Sequence, residues 1–338
     1  MDFEKASRLL KTCIKGKLPL LIQGPPGVGK SDLVAAACTE VEHDLLISHP
    51  VVAEPTDAKG LPFPDKKGES AKFLPYGELA IALRATRPTV WFLDDLGQAS
   101  PAVQASFMQL LLARRIGEHR LPDCVTFVAA TNRRKDRAGV SGILEPVKSR
   151  FATIIELQAT LEHWMPWALE AGMPGEITAF LRFRPDLLCK PAPSMDLVNS
   201  PSPRTWANFG RLMLQGLDED LEVETATGSI GEETATEFVQ FLQVWRELPS
   251  PDAVLLDPEH ASIPSGPSTL YALTSALAHF ANKENFGRLI TYATRMSADG
   301  KGEFAGYLLR DAARRHPEVQ KTAAYVTAVS GPLGELFK

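Results

Sequence analysis

Gly24-Pro25-Pro26-Gly27-Val28-Gly29-Lys30-Ser31 is the stretch on which the reading of the whole chain turns. An apolar run, Leu18–Gln23, precedes it and a helical pattern, Ser31–Val41, follows, so the order is strand, glycine-rich turn, helix. The spacing is GxxxxGK[ST]. Glycines let the backbone turn so that successive N–H groups face one point, and the dipole of the following helix adds positive potential there. Such a cradle suits a phosphate group. In that arrangement Lys30, expected on the solvent side of the loop, bridges the β- and γ-phosphates of a nucleotide, and the Ser31 hydroxyl ligates Mg2+. The candidate nucleotide-binding set is Gly24, Pro25, Pro26, Gly27, Val28, Gly29, Lys30, Ser31 and Asp32.

Further strands and helices extend outward from this loop. Phe3, Ala6, Leu9, Leu10, Cys13 and Ile14 recur at three- and four-residue spacing, which predicts a helix over 2–14 stopped by Gly16. Leu45–Ser48 is the next short strand. Val90–Asp94 is apolar at every residue until its acidic end, as a central parallel strand buried on both faces must be. Ser100 and Pro101 supply an N-cap and a first-turn proline for a helix reaching about Ile116. Val125–Ala130 and Thr153–Leu157 complete a set of strands alternating with helices, which implies an α/β fold with a five-stranded parallel sheet.

Beyond residue 158 the apolar spacing turns helical, over 161–171, 175–188, 204–214 and 232–248. Prolines 191, 193, 201 and 203 mark a loop within this part, and Pro249, Pro251 and 257–267 read as a linker to a last helical segment from Ser268. The expected division is an α/β core over 1–157, a helical lid over 158–248 and a helical C-terminal extension over 249–338.

Two further strand ends carry chemistry. Val90-Trp91-Phe92-Leu93-Asp94-Asp95 ends in paired carboxylates at the carboxyl end of a buried strand, where α/β proteins place their ligand sites. Asp94 is suited to hold the metal together with Ser31, and Asp95 to orient or activate an attacking water. The next strand ends Ala130-Thr131-Asn132, and the Asn132 amide is suited to hydrogen-bond a γ-phosphate and align water.

Composition sets limits on partners. Of 338 residues, 44% are hydrophobic and 23% charged, ordinary for a globular protein. A net charge of −5 gives no overall reason to bind nucleic acid or an anionic membrane. A local basic cluster, Arg133–Lys135 with Arg137, is the exception to be tested. Four scattered cysteines form no CxxC pair, which points to a reducing compartment rather than zinc or disulfides. The first residues, with Asp2 and Glu4, do not resemble a signal peptide, and no apolar run approaches the ~20 residues that span a bilayer, so a cytoplasmic location is expected.

The ordered set GPPGVGKS, VWFLDD, AATN, then Lys148-Ser149-Arg150-Phe151 and Ser202-Pro203-Arg204, resembles an AAA+ ATPase, and more narrowly the MoxR-like group that includes CbbQ/NorQ-type activases. The segments 55–60 and 73–79 resemble that group's extra hairpin or helix insertion between the second and third strands. The resemblance covers about residues 5–215. It implies ATP and Mg2+ bound between a P-loop core and a helical lid, in a ring that is usually hexameric. It implies further that Arg150 is an arginine finger reaching the neighbour's γ-phosphate, and Arg204 a second sensor within its own subunit. Members commonly act with a partner bearing a von Willebrand factor A domain to mature a protein client. One departure is Asp95, where the group usually has Glu; the shorter side chain bears on water placement and leaves open a nucleotide-gated scaffold with slow hydrolysis. A DNA-acting motor is the remaining alternative, disfavoured by the acidic balance. Phe63, Phe73 and Tyr76 are candidates for a ring pore, with core packing expected for at least two of them.

Overall fold

The computed structural model describes residues 1–64, 68, 70–116, 119–136, 142–192 and 197–337. It divides into two units, one of Met1–Ala159 with Pro191–Pro193, the other of Thr160–Lys190 with Ser194–Lys338.

In the first unit, β1 (Leu20–Gln23), β2 (Asp44–Ser48), β3 (Thr89–Leu93), β4 (Val125–Thr131) and β5 (Thr153–Glu156) form a parallel sheet in the order β2-β3-β4-β1-β5. Every residue of β3 and β4 is buried, because both faces of the sheet are covered. On one face Trp91, Leu93, Phe127 and Ala129 pack against Phe107 and Leu110 of α3 (Pro101–Ala113). Trp91 stacks on Phe127 at 5.4 Å and meets Phe107 edge-on at 6.1 Å, while its indole N–H donates to Ser48 Oγ at 2.8 Å. On the other face Val90, Phe92, Val128 and Ala130 meet α1 (Phe3–Lys15) and α2 (Lys30–Glu40). Asp2 caps α1 by accepting from the Lys5 N–H at 2.8 Å, and the helix stops at Gly16. Helix α3 ends before the expected Ile116. Arg114 takes a left-handed φ of 51°, and Arg115–Ile116 pairs with His119–Arg120 as a short hairpin.

The segment between β2 and β3 carries both elements of the expected insertion: an antiparallel hairpin, Leu61–Pro64 with Ala71–Leu74, and a helix, Gly77–Leu83. Gly60 is required at the hairpin's base, since its φ is 92° and a Cβ there would lie 2.6 Å from the Leu74 carbonyl oxygen. The aromatic residues depart from expectation. Phe63 and Phe73 are 59% and 39% exposed, so neither packs into the core. An isolated two-stranded hairpin has no second layer to cover its side chains. Tyr76 is part-buried, its hydroxyl donating to Asp57 Oδ1 at 2.6 Å.

The second unit is helical: α4 (Leu161–Glu170), α5 (Gly175–Phe183), α6 (Pro203–Met213), α7 (Glu222–Ile230), α8 (Glu232–Arg246), α9 (Pro251–Leu256), α10 (Pro267–His279), α11 (Phe286–Ala298), α12 (Gly302–Arg315) and α13 (Ala323–Ser330). Phe180 gathers Trp206, Phe238 and Phe241 with ring centroids 5.3 to 5.8 Å away. Within this unit α10 packs on α5 as closely as on α12. Ser275 Oγ of α10 donates to the Gly175 carbonyl at 3.0 Å, and Arg182 of α5 forms a two-pronged ion pair with Asp311 of α12, one prong at 2.6 Å. Two helices occupy stretches read otherwise: α7 in a span left unassigned, and α9 in the expected linker, where Val254 and Leu255 are buried. Among the described residues no helix is long and apolar enough to cross a membrane.

The Arg182–Asp311 pair is buried on both sides, at 9% and 4% side-chain exposure. Removing one partner strands the other charge away from water, at a cost of about 3 to 5 kcal/mol. Asp311→Ala is therefore expected to destabilise the second unit by that amount in urea unfolding. The double change Arg182→Met with Asp311→Leu should recover most of it.

Candidate functional site

The carboxyl ends of β1, β3 and β4 lie side by side, and the polar groups of the expected site converge there. Between Gln23 and α2 the loop turns through Gly27 (φ 73°) and Gly29 (φ 95°), conformations open to glycine. Gly24 is confined differently: a Cβ would sit 3.0 Å from the Leu157 carbonyl oxygen and 3.1 Å from Val28. Its N–H donates to the Thr131 carbonyl at 3.2 Å, which ties the loop to β4.

Lys30 does not face solvent. It is 7% exposed, and its ammonium donates to the carbonyls of Gly24 and Pro25, both at 3.1 Å, and to Asn132 Oδ1 at 2.6 Å. A lysine held by these acceptors fills the cradle that its loop encloses, as a buried cation must find partners. The Asn132 amide then donates to Asp95 Oδ1 at 3.2 Å, so Lys30, Asn132 and Asp95 form one hydrogen-bonded row. Beside it, Ser31 Oγ donates to Asp94 Oδ2 at 2.8 Å. The Asp94 N–H is fixed by the Ser48 carbonyl at 2.9 Å, and Asp94 Oδ1 accepts from the Asp95 N–H at 3.1 Å. Asp95 has a left-handed φ of 57°, which a short Asp tolerates better than most side chains.

The Ser31–Asp94 pair fits Mg2+ in kind and number. That ion takes one or two protein oxygens and completes its octahedron with water and phosphate oxygens. Among the described residues no group of three or more His, Cys, Asp or Glu gathers to hold an ion without such help. Asp32, in the first turn of α2, is exposed.

Within the first unit Arg150 lies elsewhere. Arg150 precedes β5 at its amino end, where the Ala152 N–H bonds the Pro19 carbonyl at 2.8 Å. The phosphate loop leaves the opposite end of β1, about 13 Å further along at the usual strand rise. The Arg150 guanidinium donates to the Pro146 carbonyl and, at 3.2 Å, to Ser149 Oγ. Arg204 belongs to the second unit. It is exposed in the first turn of α6, behind a capping box of Ser202 and Thr205.

One member of the basic cluster is paired off. Arg133 Nε and Nη2 grip Asp136 at 2.8 and 2.7 Å, and Nη1 reaches Glu156 Oε1 at 3.1 Å. The hydrogen bonds to Asp136, then those to Glu156, raise the Arg133 pKa still further above its ordinary value, against the opposing effect of burial. Arg134 and Lys135 remain exposed, and Arg137 lies outside the described residues. The i, i+3 spacing of Arg133 to Asp136 is the sequence signal for this pairing.

Residues 19–151 match the family model of the AAA domain, dynein-related subfamily. No curated protein matches the chain. Among solved structures the chain has a loose similarity to the RuvB Holliday junction branch migration motor of Thermotoga maritima, at 19% identity and a TM-score of 0.39 over 81% of this chain and 80% of that one. It is also loosely similar to NtrX of Brucella abortus in complex with ADP, at 12% identity and a TM-score of 0.37 over 98% of this chain and 68% of that one. The fold is that of an AAA+ P-loop domain, a five-stranded parallel sheet with its helices, followed by a helical C-terminal region.

Loop geometry supplies a direct test. At φ 95°, Gly29→Ala forces a left-handed alanine and is expected to lower stability by about 1 to 2 kcal/mol. Denaturant melts of the parent and variant check the sign.

Proposed function

We propose that the chain is a Mg2+-dependent ATPase of the MoxR-like AAA+ type, which assembles head-to-tail into a ring, most simply a hexamer, and uses hydrolysis to remodel a protein client. The observation that carries this reading is the 2.8 Å contact between Ser31 of the phosphate loop and Asp94 of the acidic strand, beside the row from Lys30 through Asn132 to Asp95. These are the groups that phosphoryl transfer to water requires, converging on one end of the sheet. A partner with a von Willebrand factor A domain follows from the resemblance to the MoxR-like group.

In this mechanism the loop N–H groups and the amino end of α2 bind the phosphates of ATP. Lys30 exchanges the Gly24 and Pro25 carbonyls for β- and γ-phosphate oxygens. Ser31 and Asp94 would hold Mg2+, which when bound neutralises charge on those phosphates. Asn132, released by Lys30, turns to the γ-phosphate and helps seat a water. Asp95 orients that water and accepts its proton as the water oxygen bonds to the γ-phosphorus and the bond to the ADP oxygen breaks. Positioning and charge stabilisation do most of the work. Arg150, at the far end of the sheet from its own phosphate loop, is assigned to the neighbour's γ-phosphate in a heterologous contact that closes on itself. Arg204 is assigned to sensing nucleotide from the second unit. The pairing of Arg133 with Asp136 and Glu156 takes one cation out of the local basic cluster, and a DNA-acting motor stays the alternative reading.

Lys30→Ala deletes a charge-assisted contact to phosphate and is expected to weaken Mg·ATP binding roughly 10- to 100-fold, read by calorimetric titration. Unchanged affinity would sink the phosphate-loop assignment. Asp95→Asn should keep ATP affinity and lose steady-state phosphate release. A parent protein that binds ATP yet releases no phosphate would instead be a nucleotide-gated scaffold.

Arg150→Ala is expected to bind ATP nearly normally and to lose turnover on the order of 10³-fold. Rings mixed from Arg150→Ala and Asp95→Asn subunits, each inactive alone, should regain activity at interfaces that join an intact Asp95 to an intact neighbouring Arg150. If exchange is verified by mass and no activity returns at any ratio, the shared site is wrong.

A further inference from the structure

Arg133 follows Asn132 directly, at the point where β4 ends. In the sheet β1 lies between β4 and β5, and Gln23, the last residue before Gly24, is flanked by Thr131 on one side and Glu156 on the other. The 3.1 Å bond from Arg133 Nη1 to Glu156 Oε1 therefore crosses the end of β1 just where the phosphate loop departs. Two backbone bonds run along the same line, from the Gly24 N–H to the Thr131 carbonyl at 3.2 Å and from the Leu157 N–H to the Gln23 carbonyl at 2.7 Å. The rest of the guanidinium is engaged by Asp136, which also accepts from the Arg133 backbone N–H at 3.3 Å. With Arg133 14% exposed and Asp136 4%, this fork is shielded from solvent and holds the turn 133–136 in one shape.

We infer that Arg133 is a positioning residue: a strap across the end of β1 that holds the Asn132 amide in register with the phosphate loop. The inference rests on the nucleotide reading of the site. The Arg133 guanidinium is engaged by Asp136 and Glu156. Arg133 acts through Asn132, whose amide meets Lys30 on one side and Asp95 on the other, and which in the proposed mechanism turns from that place to the γ-phosphate. A shift of about 1 Å in such a group can cost up to roughly a hundredfold in rate. The loop itself is tied to β4 by a backbone bond, from the Gly24 N–H to the Thr131 carbonyl, which the Arg133 side chain does not make.

The test measures ATP turnover and ADP affinity of the full chain as it assembles. Arg133→Met keeps the apolar stem and removes the fork. Turnover is expected to fall roughly ten- to a hundredfold while ADP affinity stays within about twofold. Arg133→Lys, which keeps the charge without the planar fork, should recover part of the loss. Joined to Asn132→Ala, Arg133→Met should add little, because both changes remove the same placed amide. Parent-like turnover in Arg133→Met, ADP affinity falling in step with turnover, or losses that multiply in the double variant would each overturn the role. Should Arg133→Met fail to fold, Glu156→Ala, at a half-exposed position, removes the acceptor of the strap and is read the same way. A parent that binds nucleotide without hydrolysing it fails the ATPase reading instead; the strap is then judged by whether Arg133→Met lowers the ratio of ATP to ADP affinity.

Discussion

A parallel sheet covered on both faces excludes charge from its central strands, and this constraint organises the first unit. Every side chain of β3 and β4 is buried, so the first places where those strands carry charge or an amide toward a ligand are their ends. Asp94, Asp95 and Asn132 stand at those ends because the sheet's interior has no room for them. The order β2-β3-β4-β1-β5 then sets β4 beside β1, and with it the amide beside the glycine loop. Helix α2 begins at Lys30, so the loop lysine and the Ser31 hydroxyl leave the helix start facing the same two strands.

That logic is legible in the residues themselves wherever burial writes a pattern. The run Val90-Trp91-Phe92-Leu93 followed by two aspartates, and the glycine spacing before Lys30-Ser31, are local signatures of strand and loop. What the residues did not disclose depends on contacts distant in the chain. Helix α3 stops early because Arg114 adopts a left-handed turn feeding a two-residue hairpin, a choice that no periodicity reveals. The ties of Ser275 to Gly175 and of Asp311 to Arg182 join residues about a hundred or more apart in the chain. Lys30 is buried because the loop's own carbonyls and Asn132 take the place that a loop read with phosphate in it assigns to the ligand.

Charge runs were the least informative text. Arg133, Arg134 and Lys135 look alike in sequence, yet one is locked between two carboxylates while its neighbours are exposed. The difference is made by Asp136, one turn away, and by Glu156, which arrives only when β5 joins the sheet. A cation beside the Asn132 amide thus serves the architecture of the strand ends, and its burial is what separates it from the solvated pair that follows.

The exposed hairpin between β2 and β3 has a colloidal consequence. Leu61, Phe63, Phe73 and Leu74 are each between 39% and 59% exposed, on a ribbon fastened at its base by Gly60. Apolar edges of this kind favour self-association, and what opposes it between copies of the chain is mutual repulsion from a net charge of −5. That repulsion fades as the pH approaches the isoelectric point expected from the sequence, about 5.9. The chain is therefore expected to be least soluble in mildly acidic buffer, and purification is best held well above it at modest salt, where the charge is both present and unscreened.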